Sequence, residues 1–303
     1  MFKKALLGAV SLAVLAIGQA HAADLKEFRI GVIGGENEAD RLRNFQCLVD
    51  QLPAVLSVEK VSLFPAADYD GTIQGLLGGT LDYAELGASG YAKIYLENKD
   101  AVEPILTTVQ TDGATGYYTI MVAKKDSGIT KLEDLKGKKL GFADPDSTSG
   151  YLIPVTALPK DLGGVAVKDF VAETGFGGGH ENLVLEVLKG TFDAGTTFGS
   201  GVGEFKDGYT SGNLKKMVDK GILDMDDLVE VWKSPLIPNG PIVVRTSLDA
   251  DIKTKFKEYM VKLPETDPAC FSAIQGGDFK GYTEVTPDFY QPVIDARKAQ
   301  IGS

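Results

Sequence analysis

From residue 27 onward, short apolar runs with strand-like spacing trade places with stretches whose apolar positions recur at helical spacing, which predicts alternating strands and helices. Glu27–Ile33 reads as a first strand and Asn37–Leu52 as a helix with one apolar side. Val58–Phe64 reads as a second strand, Asp70–Leu77 as a short helix and Leu81–Leu86 as a third strand. Such alternation predicts an α/β lobe around a central sheet. Pro104–Gln110 and Tyr117–Ala123 are two further extended segments, separated by Thr111-Asp112-Gly113-Ala114-Thr115-Gly116, a glycine-containing join that serves as a turn or a hinge.

The alternation then restarts, as a second lobe would. A short helix at Leu132–Leu135, a turn at Lys136–Lys139 and a strand at Leu140–Ala143 open it. A helix after Gly150, a strand at Asp169–Glu173, a helix at Asn182–Leu188 and a strand at Phe192–Thr197 follow. Leu228–Trp232 leads into Ser234-Pro235-Leu236-Ile237-Pro238-Asn239-Gly240-Pro241, whose prolines mark a rigid connection. Two more helices, Asp249–Val261 and Asp288–Lys298, are too few for a third domain and are expected to pack back on the first lobe. The expected organisation is residues 23–115 and 238–303 in lobe I and residues 116–237 in lobe II. A chain of this length suits two cores, because single cores stop growing near ~250–300 residues.

The first 22 residues have another character. Lys3 and Lys4, an apolar run over Ala5–Ile17 and the small-residue site Ala20-His21-Ala22 have the layout of a secretory leader. The run is shorter than the ~20 residues that cross a bilayer, and no cysteine follows it to carry a lipid, the nearest being Cys47. The expected product is exported, to the periplasm. Loss of residues 1–22 removes two lysines and no acid, so the net charge moves from −11 to −13. That field repels nucleic acid, although solubility alone would account for it equally well. Cys47 and Cys270 are the two cysteines, and an oxidising compartment favours a disulfide between them; two buried thiols are the alternative.

Candidate chemistry is narrowed by histidine. His21 leaves with the leader, so the exported chain keeps His180 alone, which rules out multi-histidine metal sites. A Ser-His-Asp triad would need His180 as its base, and there is no Gly-x-Ser-x-Gly elbow to partner it. A Gly-x-x-x-x-Gly-Lys-Ser/Thr loop is absent too, and Gly175-Phe176-Gly177-Gly178-Gly179-His180 places His where a dinucleotide fingerprint needs its third Gly. No catalytic residue, cofactor or metal is expected. What remains is Asp144-Pro145-Asp146-Ser147-Thr148-Ser149-Gly150, between a strand and the apolar Tyr151-Leu152-Ile153. Three consecutive hydroxyls at a helix start offer side-chain donors beside unpaired N–H groups, which suits an oxyanion. A plain N-cap that uses one serine explains the same spacing, and a lone histidine is more often structural than functional.

These residues carry a resemblance. The chain resembles the periplasmic phosphonate-binding proteins of ABC transporters, a branch of the type II solute-binding fold. The carriers are Asp68–Gly75, Asp112–Tyr118, Asp144–Gly150, Gly179-His180-Glu181 and Trp232–Pro238, in this order over most of the exported chain. The resemblance implies an α/β fold of two lobes with a ligand cleft between them, binding without turnover, a membrane permease as partner and a monomeric state. It implies that the phosphonate oxygens are held by Ser147, Thr148, Ser149, Tyr69, Tyr117 and His180. Members that prefer an aminoalkyl phosphonate place two acids around the ammonium. Here the matching stretches read Thr197-Phe198-Gly199-Ser200 and Pro238-Asn239-Gly240-Pro241, with no acid in either, and Glu204 is the nearby acid that would have to substitute. That points to a smaller or differently substituted phosphonate, or phosphite. Two other readings compete: a binding protein for another tetrahedral or carboxylate anion, and an enzyme on the same scaffold with Cys47 or Cys270 as nucleophile and His180 as base.

Overall fold

The structure, a computed structural model, describes residues 25–34 and 37–302. The expected leader at residues 1–22 lies outside the described residues. The first segment runs β1 (Glu27–Val32), α1 (Glu38–Leu56), β2 (Lys60–Pro65), α2 (Tyr69–Leu77), β3 (Tyr83–Glu85), α3 (Ala88–Asn98) and β4 (Val102–Gln110). The second runs β5 (Gly116–Lys124), β6 (Lys139–Phe142), α4 (Ile153–Asp161), α5 (Val167–Phe170), β7 (Glu173–Phe176), α6 (His180–Lys189), β8 (Ala194–Gly199), α7 (Asn213–Asp219), β9 (Leu228–Lys233) and β10 (Ile237–Pro238). The chain closes with β11 (Pro241–Arg245), α8 (Ala250–Thr266), α9 (Pro268–Gln275), β12 (Phe279–Glu284) and α10 (Gln291–Ile301).

Among the described residues the strands form two sheets, one ordered β12-β4-β11-β3-β1-β2, the other β10-β5-β8-β6-β7 with β9 also on β5. β1 is parallel to β2 and β3, and β6 to β7 and β8, whereas β4, β5, β11 and β12 pair antiparallel with their neighbours. The chain passes from one sheet to the other between β4 and β5, and returns between β10 and β11. The two passages run side by side: Asn239 N–H donates to Thr115 O at 2.9 Å and Asn239 Nδ2 to Thr108 O at 2.8 Å.

Local signals explain most boundaries. Asn37, Asp68 and Asp249 cap α1, α2 and α8 with their side-chain oxygens. Gly178 and Gly179 take φ of 75° and 130°, where a side chain would be strained, and so deliver His180 to the start of α6. Some expectations fail. The strand expected at 169–173 is instead the short helix α5, with β7 beginning only at Glu173: Val167 reaches the core while Asp169 and Glu173 are exposed, so the apolar spacing there belongs to a helical turn. Helices α3, α7 and α9 and strand β12 were not expected.

Apolar layers cover each sheet. In the first lobe Phe28, Tyr83 and Phe256 stack between the sheet and α8, with Leu48 and Leu52 of α1 and Phe271 of α9 in the same core. Cys47 of α1 and Cys270 of α9 are joined by a disulfide there, with Cα atoms 5.9 Å apart and 223 residues between them. On the opposite face Tyr91 of α3 and Tyr290 meet edge to face at 5.2 Å. Leu152, from the second lobe, belongs to this same first-lobe core, so the lobes are in contact. Among the described residues no helix is long and apolar enough to cross a membrane.

Candidate functional site

The hydroxyl run is held by hydrogen bonds within its own loop and from the sheet beneath it. Ser147 caps a wide π-helical turn over Thr148–Leu152 and its Oγ accepts Gly150 N–H at 3.0 Å. Thr119 of β5 donates to Ser149 O at 2.9 Å, and Thr196 of β8 donates to Gly150 O at 2.8 Å. The Ser149 and Gly150 carbonyls are thereby engaged by buried sheet hydroxyls. Gly150 is required for packing rather than for ligand approach: a Cβ there would lie 2.4 Å from Ala143 Cβ, 2.7 Å from Ser147 Oγ and 2.9 Å from His180 Cε1.

Other elements bring their groups to this loop. His180, at the start of α6, places Nε2 3.0 Å from Ser147 Oγ, and its ring stands edge-on to Phe198 at 4.7 Å. Phe198 in turn meets Tyr117 of β5 at 5.7 Å, so three rings form one wall. The Tyr117 hydroxyl lies beside the hydroxyls of Ser149 and Thr148 and the Ser149 N–H; burial pushes its phenol up and those donors oppose the rise. From the first lobe, Ser89 N–H at the start of α3 donates to Thr148 Oγ1 at 2.8 Å. Tyr69, the first residue of α2, donates its N–H to Asp144, whose carboxyl is nonetheless raised, chiefly by burial. Tyr69, Tyr117, Ser147, Thr148, Ser149 and His180 all line one cavity of about 200 Å³ between the lobes. That is below the ~300–1,000 Å³ of sites for drug-sized ligands and suits a small one.

Glu204 does not reach it. The chain turns at Gly201 and Gly203, both with positive φ, and Glu204 is exposed on the turn that follows. The two stretches where acids were sought contribute Ser200 and Asn239 to the lining instead. The acid that does line the cavity, Glu85 at the end of β3, was not singled out from sequence. Burial raises its carboxyl to about 7, against the pull of hydrogen bonds from Tyr83 and Gln275 and the charge of Lys216, which also lines the cavity. Position was the available signal, since ligands of α/β sheets gather at the carboxyl ends of strands. Cys47 and Cys270 do not line the cavity, and as a disulfide they offer no thiol, which removes the nucleophile of the enzyme reading. Among the described residues no group of three or more His, Cys, Asp or Glu is placed to hold a metal.

Residues 30–290 match the family described as "ABC transporter, phosphonate, periplasmic substrate-binding protein". The chain is similar to the phosphate-import protein PhnD of Mycolicibacterium smegmatis, 30% identical over 236 residues that cover 75% of this chain and 69% of that protein. It is similar to the phosphonates-binding periplasmic protein of Escherichia coli, 29% identical over 256 residues covering 82% and 70%. Among solved structures, a binding-protein component of an ABC phosphonate transporter from Pseudomonas aeruginosa superposes with a TM-score of 0.75 at 25% identity, covering 92% of this chain and 87% of that one.

Proposed function

Because this chain belongs to the periplasmic phosphonate-binding family of ABC-transporter substrate-binding proteins, we propose that its inter-lobe cavity captures a phosphonate, phosphite or closely related phosphorus oxyanion for delivery to a membrane permease. The observation that carries the reading is the convergence of three hydroxyls, two tyrosines and one histidine from both lobes on a cavity of about 200 Å³. Family members are transport proteins and not enzymes, and the relatives named above import phosphate or bind phosphonates. A phosphorus head group is what those ligands share.

The chemistry follows from the donor set. Ser147, Thr148 and Ser149 each donate and accept, so they meet the oxyanion whether or not one oxygen keeps its proton. Tyr117 and Tyr69 add phenolic donors, and a dianion beside His180 favours the imidazolium, a charged donor. These local donors work against a chain whose formal charge is −11. The moving bodies are residues 23–115 with 238–303 and residues 116–237, turning about the paired passages at Thr111–Thr115 and Asn239–Gly240. The protein works as a monomer without nucleic acid, and residues 1–22 direct its export. Isothermal titration with methylphosphonate, phosphite, phosphate and sulfate tests the reading. One-to-one binding of at least one phosphorus anion is expected; absence of heat with all three of them refutes it.

A further inference from the structure

The cavity holds a carboxyl whose hydrogen bonds are all on one side. Tyr83 Oη donates to Glu85 Oε1 at 2.9 Å, and Gln275 Nε2 donates to the same oxygen at 2.9 Å. Gln275 Nε2 also donates to Tyr282 Oη at 2.8 Å, so β3, α9 and β12 together fix the carboxyl. Among the described residues no hydrogen bond falls on Oε2, in a residue that lines the cavity. A carboxylate oxygen accepts up to two bonds, and a ligand in the cavity that Glu85 lines can supply a donor to it, beside Lys216, whose charge also acts on this carboxyl. Phe198, Ile274 and Phe279 add apolar surface to the lining, which would take a short aliphatic group, and Lys216 lines the same cavity.

Glu85 is also close in the chain to the first-lobe residue that packs on the hydroxyl loop. Gly87 follows it by two residues, about 7 Å of extended chain, and Gly87 packs so closely on Thr148 that a Cβ there would lie 2.8 Å from Oγ1. A head group on Ser147–Ser149 and the Glu85 carboxyl therefore share one cavity of about 200 Å³, which suits a short substituent between them. We infer that Glu85 reads the substituent on phosphorus, favouring a short one that ends in a hydrogen-bond donor over an apolar one. This acid comes from the first lobe, not from the stretches near Thr197 and Pro238, and the inference rests on the phosphorus-oxyanion reading above.

The donor is an ammonium or a hydroxyl, and the test separates them. Wild-type protein is titrated with phosphite, ethylphosphonate, 2-hydroxyethylphosphonate and 2-aminoethylphosphonate. At least one donor-bearing ligand is expected to bind about 10–100-fold tighter than ethylphosphonate, the size of one hydrogen bond to a charged group. An advantage for both marks any donor as sufficient; an advantage for the amine alone marks charge as required. In Glu85→Gln, checked for folding by its melting curve, the ratio of donor-bearing to ethyl affinity is expected to fall to about one, and a ratio cancels any general loss of binding. Equal affinities in the wild type overturn the inference without recourse to a variant, as does a ratio that survives Glu85→Gln. If ethylphosphonate and phosphite bind but the donors give no advantage, the oxyanion reading stands and only this inference falls; if no phosphorus ligand binds, both fall.

Discussion

Thr148 shows how much one hydroxyl carries. Its oxygen accepts Ser89 N–H from the first lobe, and the same hydroxyl is within donating reach of Tyr117. Thr148→Val keeps the shape and removes both roles, so it should weaken oxyanion binding about 5–100-fold, one or two buried hydrogen bonds, as read by titration calorimetry. The hydroxyl run, Tyr69, Tyr117 and His180 were legible in the sequence because they lie in ordered motifs. Glu85 was not, because a lone acid at a strand end has no pattern of its own; Glu204, weighed as a substitute acid on sequence proximity, lies instead on an outward turn. Glu85 also makes a pH prediction. Its carboxyl is raised from 4.5 to about 7 by burial, with Tyr83, Gln275 and Lys216 opposing the rise. Between those two values the folded protein keeps a proton that the unfolded chain has lost. The stabilisation is complete below about pH 4.5 and is lost as pH rises through about 7. In ligand-free melting curves between pH 5 and 8, the wild type should therefore lose stability relative to Glu85→Gln as pH increases; a constant difference would contradict the assignment.

At the scale of elements, α3 is the lesson. Its first residues, Ala88, Ser89, Gly90, Tyr91 and Ala92, are all buried, because the second lobe covers the end that solvent would otherwise meet. A helix start buried on every side has no amphipathic stripe, and its N-cap Gly87 makes no side-chain bond, so neither of the usual signals was there to read. Helix α6 was legible by contrast: Gly178 and Gly179 punctuate it and its last turn ends at Gly190 with φ 82°. Gly87 supplies a clean probe of the α3 contact. Its φ of −66° suits any residue, so Gly87→Ala adds only a Cβ against Thr148 Oγ1. Because that contact is already made in the ligand-free fold, the overpacking of about 1–3 kcal/mol should outweigh the smaller chain-entropy gain and lower the melting temperature modestly, and by displacing Thr148 it should drop oxyanion affinity about tenfold or more. Unchanged affinity would detach α3 from the site.

For the whole molecule, the two-lobe plan was legible because the strand–helix alternation starts twice and the connections at Thr111–Gly116 and Ser234–Pro241 interrupt it. The closeness of the lobes was not, since it depends on pairs far apart in the chain. Asp146 binds Arg297 at 2.5 Å and Lys93 at 2.9 Å, and Arg297 donates to Ser89 Oγ at 2.6 Å. Farther along the cleft Ser211 donates to Gln110 at 3.0 Å. The Asp146 network adjoins the hydroxyl loop, so closure and ligand contact occur in one place. Asp146→Asn leaves the enclosed Arg297 facing an amide while Lys93 keeps Asp70, which is strongly unfavourable for the buried charge, and should open the lobes; small-angle scattering with saturating ligand is expected to report a larger radius of gyration than for the wild type. The disulfide lies within the first lobe and away from the cavity, so replacing both cysteines by serine should cost about 2–4 kcal/mol of stability and leave affinity intact. The most direct measurement of the central claim is a crystal structure with methylphosphonate. The account predicts phosphorus inside the cavity with its oxygens in hydrogen-bond reach of Ser147, Thr148, Ser149, Tyr69, Tyr117 and His180; a ligand bound elsewhere, or bound in the cavity without the hydroxyl loop, would contradict it.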